Sequence, residues 1–146
     1  MSYQITNEDR KFLKDIESCQ FPVIDFDHRA HLRLAYVYLA ETRDVEKSLE
    51  FVRKALLGLL QHAGIDPAAK YHETLTEAWL LAVHHFMHTQ SQTKSADEFI
   101  NQNPILLNSK IMLTHYSKDV LFSKRAKMNF VSPNLEQIPR HASLPA

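Results

Sequence analysis

Residues 27–42 read DHRAHLRLAYVYLAET, and this stretch decides the fold. At helical spacing, Leu32, Ala35, Tyr36 and Leu39 share one face, while Leu34, Val37 and Tyr38 occupy another. A helix that is apolar on nearly every side must be wrapped by others, because any bare face would leave apolar surface in water. The stretch therefore predicts the central helix of an all-α domain, with Asp25 or Asp27 as its N-cap.

The flanking segments supply the wrapping. Upstream, Thr6 and Asp9 form a capping pattern, and Phe12, Leu13, Ile16 and Cys19 recur at helical spacing, predicting a helix over about 6–19. The segment FPVID (21–25) is short and contains Pro22, which fits a connector better than a strand. Downstream, Asp44 caps a third helix with a stripe of Val45, Leu49, Val52, Leu56, Leu59 and Leu60. Gly64 sits where a C′ glycine belongs, and Pro67 follows it. A fourth helix over about 71–89 places Leu75, Trp79, Val83 and Phe86 inward. Its opposite side, with Glu73, Glu77, His84 and His88, reads as solvated.

Ser95 caps a short helix through Phe99 and Ile100 that Pro104 limits, and helical pieces are expected at 105–113, from Ser117, and at 124–130. From Val131 onward, Pro133, Pro139 and Pro145 predict an extended arm or frayed tail. The expected architecture is an irregular bundle of about five to six helices, one domain over 1–130 with an arm over 131–146.

Composition narrows the functional classes. The 146 residues, 45% hydrophobic, suffice for one domain with a core. Seventeen basic residues balance seventeen acidic ones, so no overall field draws the chain to nucleic acid or an anionic membrane. The basic run of Lys118, Lys124, Arg125 and Lys127 fits a solvated helix face. Two glycines leave no Gly-rich phosphate loop, and the lone Cys19 leaves no multi-cysteine zinc module and has no neighbouring base to activate it. The N-terminus lacks a signal-like apolar run and no streak approaches the roughly 20 residues of a membrane span, so the expected location is cytoplasmic.

Nine histidines are the unusual feature. His28 and His31 lie three apart at the start of the central helix, His72 precedes the fourth helix's core stripe, and His115 stands at a helix–loop junction. If the four imidazoles meet, they can hold a divalent metal such as zinc or iron, with His31 or His72 as a catalytic base. Arg33, inside an apolar run, needs an anion: Glu73 or Asp25, or a ligand's carboxylate or phosphate. Tyr71, Glu73 and Tyr116 complete the expected ligand-binding set. Two readings follow. One is a small helical protein with a His/Tyr/Arg-lined pocket for a metal and a small anionic ligand, which in its catalytic form is a small metal-dependent enzyme. The other is an interaction module, such as a homodimer, whose core histidines are hydrogen-bonded and inert.

The blocks FDHRAHLRLAYVYL (26–39), KYHETLTEAW (70–79), NPILL (103–107), HYSKDVLFSKRA (115–126) and FVSPNLEQIP (130–139) together resemble a widespread family of small bacterial proteins of uncharacterised activity. The resemblance spans roughly 21–139. It implies no catalytic assignment, but its blocks contain His28, His31, His72 and His115.

Overall fold

The computed structural model describes residues 3–89 and 92–144. Among them the regular structure is helical: α1 (Asn7–Glu17), α2 (His28–Thr42), α3 (Val45–His62), α4 (Pro67–Lys70), α5 (Glu73–Thr89), α6 (Ala96–Gln102), α7 (Lys118–Leu121) and α8 (Lys124–Met128), with 3-10 turns at Val23–Asp25, Pro104–Leu107 and Ser109–Thr114. No helix of the described residues is long and apolar enough to cross a membrane.

Side-chain caps start most of these helices. Thr6 and Asp9 form a reciprocal capping box on α1. Asp27 accepts from the Ala30 N–H to start α2, Asp44 from Lys47 for α3, Ser95 from Glu98 for α6, and Ser117 and Ser123 open α7 and α8. Arg43, at φ 61°, ends α2 in the left-handed region, which leaves one residue before α3 turns back. Gly64, at φ 74°, closes α3: its N–H bonds to Gln61 O and that of Ile65 to Leu60 O, a Schellman pair that requires the left-handed residue between them.

The central helix is α2, packed by α1, α3, α5 and α6. Leu32, Leu34, Ala35, Tyr36, Val37, Tyr38 and Leu39 are all buried, so both apolar faces are in use. From α5, Ala78, Trp79, Leu80 and Val83 meet them in a continuous core.

Four local expectations change. The first helix ends at Glu17 rather than 19, because Cys19 takes φ 62°. The helix expected from 71 begins at Glu73, with Pro67–Lys70 as a separate turn. The segment 105–113 is two 3-10 turns, since Asn108 is extended and its side chain caps Lys110. Finally, 131–144 is a docked arm. The Leu135 N–H bonds to His115 O, the Leu144 N–H to Arg43 O, and Ile138 and Leu144 are buried.

Candidate functional site

Between the first turn of α2, the C-terminal half of α3 and the start of α5 lies a cavity of about 580 Å³. Its walls are mainly apolar, with Leu56, Leu59 and Leu60 from α3, Ile65 beyond it, and Leu75 from α5; Val23, Ile24 and Phe26 close one side. The polar side chains reaching it are His31, Tyr71, His72 and Thr76, with the exposed Lys70 among the lining residues. Its size and mainly apolar lining with few polar groups are those of a small-molecule site.

His31 is the exceptional group. Its Nε2 is shielded from solvent and has no hydrogen-bond partner, a condition shared among the described residues with Nε2 of His84. The ring lies 6.2 Å from that of Phe26. Burial, reinforced by the neighbouring His28, pulls the imidazole down to about 4, so at neutral pH it is uncharged. A buried polar atom left unpaired opposes folding.

His72 is differently employed. Its Nε2–H donates to Leu121 O at 2.8 Å, and its Nδ1 accepts from the Leu75 N–H at 3.0 Å. The two backbone partners fix one tautomer and leave no ring nitrogen for a substrate. The carbonyl of the same residue accepts from the Thr76 N–H, so His72 is the imidazole N-cap of α5. Burial lowers its basicity, against the hydrogen bond to Leu121, which raises it. Replacing His72 with Ala is expected to reduce unfolding free energy by about 1–2 kcal/mol through loss of cap and donor together. Urea unfolding would measure it, and an unchanged midpoint would refute the capping role.

The remaining expected site residues are committed elsewhere. His28 donates from Nε2 to Leu106 O at 2.8 Å and lies edge-on to Trp79 at 4.4 Å. His115 donates from Nδ1 to Glu136 O at 2.6 Å, pinning the arm. His28, His31, His72 and His115 therefore do not offer their nitrogens to one point, and among the described residues no group of three or more His, Cys, Asp or Glu side chains is arranged to hold a metal. Where spacing leads one to expect a four-histidine zinc or iron site, three of the imidazoles bind backbone carbonyls and the Nε2 of His31 has no partner.

Arg33 finds neither Glu73 nor Asp25. Its guanidinium lies on Asp9 Oδ1, with Nε and Nη2 both at 3.1 Å. Glu73 pairs with Arg53, whose Nε is 3.0 Å away, and accepts from the Tyr71 hydroxyl at 2.6 Å. Burial would raise the Glu73 carboxyl, but the hydrogen bonds from Arg53 and Tyr71 bring it below the usual carboxylate range. Tyr116 is fully buried and donates to Val131 O at 2.6 Å. Of the expected ligand-binding residues only Tyr71 lines the cavity, and Lys70 is the cation there.

Sequence reasoning missed a second set of imidazoles. His84, read as part of a solvated face, is 1% exposed, because the arm crosses that side of α5 and brings His141 against His85 and His88. The paired spacing of His84 and His88 was the available signal, and the arm's docking was what it lacked. Comparisons with protein-family models, curated proteins and solved structures find no match to this chain.

Proposed function

We propose that this protein binds a small, mainly apolar molecule carrying an acidic end and one further hydrogen-bonding group. The apolar body sits against Leu56, Leu59, Leu60 and Leu75, the acidic end faces Lys70, and the hydrogen-bonding group reaches His31 Nε2 once the ring turns that shielded nitrogen toward the cavity. The observation that carries this reading is the unpartnered His31 nitrogen beside a mainly apolar cavity. An orphan polar atom there is a standing cost to the fold that a ligand's hydroxyl or carbonyl would remove.

Binding is favoured over acid–base catalysis. An imidazole near 4 is a weak base at neutral pH, and both ring nitrogens of His72 are engaged. The proposal includes no metal, because three of the four imidazoles expected to hold one are separately hydrogen-bonded.

Calorimetric titration with octanoate and 8-hydroxyoctanoate tests the reading. The hydroxy acid should bind the wild-type protein roughly five- to tenfold more tightly, the equivalent of about one net hydrogen bond. His31→Leu should abolish that preference, and Lys70→Glu should weaken both ligands. If neither acid binds at millimolar concentration, or if His31→Leu keeps the preference, the assignment fails.

A further inference from the structure

Independently of the cavity, α5 carries His84, His85 and His88 where the arm crosses it, and the arm supplies His141. The rings of His85 and His141 lie 12° from parallel with centroids 5.0 Å apart, and a hydrogen bond of 2.7 Å joins His85 Nδ1 to His141 Nε2. His88 stacks on His141 at 4.5 Å and donates from Nε2 to Ala142 O at 2.7 Å. His84 packs edge-on to His88 at 4.7 Å, its Nε2 unpartnered. Past the cluster, Ser143 Oγ stands 3.5 Å from Asp44 Oδ1, and the Leu144 N–H reaches Arg43 O at 2.8 Å. On the cluster's near side, Arg140 lies 3.6 Å from Glu77.

We propose that these four histidines form an acid-released latch, which holds the arm segment 140–144 across α5 while the rings are neutral and frees it when they gain protons.

The geometry explains the direction. The bond between His85 and His141 needs one nitrogen as acceptor. With both rings protonated there is no acceptor, and two cations would face one another at 2.7 Å with the His88 imidazole stacked on His141. Asp44, between α2 and α3, is the carboxylate that favours charge on His84, while His88, His141 and His85 oppose it. Burial first, then His88 and His141, holds His84 down to about 4. Burial, then His141 and His88, also lowers His85.

A released arm leaves His84 and His85 nearer water, where imidazole titrates near 6.5. The docked state therefore binds fewer protons than the released one. Docking is fully present above about pH 6.5 and is lost as pH falls toward 4.

The test is the heteronuclear ¹H–¹⁵N NOE of Ala142, Ser143 and Leu144 in the full chain at pH 7.5 and pH 5.0, with α2 amides as the reference for global folding. At pH 7.5 the arm amides should match those of α2; at pH 5.0 their NOE should fall by more than half while α2 is unchanged. The triple variant H84Q/H85Q/H141Q removes the two rings whose basicity burial lowers together with the ring of the arm, and should lose most of that difference. His141→Gln alone, in the arm rather than a helix, should halve it at least and provides the check if the triple variant is unfolded. A wild-type arm equally ordered at both pH values would overturn the latch, as would a variant that folds and releases its arm like the wild type.

Discussion

Arg33→Ala is expected to lower unfolding free energy by about 3–5 kcal/mol, the loss associated with stranding one partner of a buried ion pair. The stranded group would be Asp9, which is 1% exposed and whose carboxylate accepts three hydrogen bonds and one further ion-pair contact. Arg33 Nε and Nη2 reach Oδ1, and the backbone N–H groups of Thr6 and Ala96 reach Oδ2, each at 3.1 Å. Asp9 thus joins the start of α1, the start of α6 and the middle of α2 through one charged group. The guanidinium also lies 4.5 Å over the Phe12 ring, so truncation removes packing as well as charge. Thermal unfolding should shift down by roughly 10 °C. The double variant Asp9→Asn with Arg33→Met should be less destabilised than Arg33→Ala, because no unpaired anion is left while the Asn oxygen still accepts a backbone N–H. A double variant worse than the single would mean that the pair's net attraction, and not the stranded charge, carries the effect.

That contact also marks where sequence legibility ended. Much that is local to the chain could be read: the Thr6–Asp9 box, an aspartate cap at 25 or 27, the Asp44 cap, Gly64 past the end of α3, and the apolar encirclement of α2. These depend on neighbours within a turn, where spacing fixes geometry. Arg33's need for an anion was also legible, since an arginine in an apolar run must be paired. Its choice of Asp9 was not. Asp9 reads locally as a capping residue, and nothing within a turn reveals that α1 lays it beside α2.

The histidines divide along the same line. A spacing of three puts His28 and His31 near one side of α2, but the partner each ring meets depends on distant chain. Leu106 O takes His28, while the wall around His31 offers nothing. His84 was misread because a polar helix face looks solvated until a proline-bearing arm is known to cover it. Helix existence is written in periodicity, whereas cavity and latch come from which loops return over which faces.

The His31 nitrogen yields the second large effect. His31→Leu is expected to raise unfolding free energy at pH 7 by about 1–3 kcal/mol, the desolvation penalty of an unsatisfied buried polar group, while abolishing the hydroxy-acid preference. Few single changes stabilise a fold at the expense of its ligand, and the combination is the signature of a polar group kept for binding. The pH dependence separates this from simple repacking. His31 titrates near 6.5 when unfolded and at about 4 when folded, so between those values the unfolded chain binds the proton that the folded chain refuses. The stability that neutral His31 contributes relative to its charged form is complete above about pH 6.5 and is lost as pH falls through 4, amounting to about 3 kcal/mol. The wild-type and His31→Leu stability curves should therefore run parallel above pH 6.5 and diverge by that amount near pH 4. Carboxylates that titrate at the bottom of this range do so in both proteins and cancel in the difference. Curves that stay parallel down to pH 4 would mean that the ring is hydrated in the folded protein, and with it would go the dry, unpartnered nitrogen on which the binding site depends.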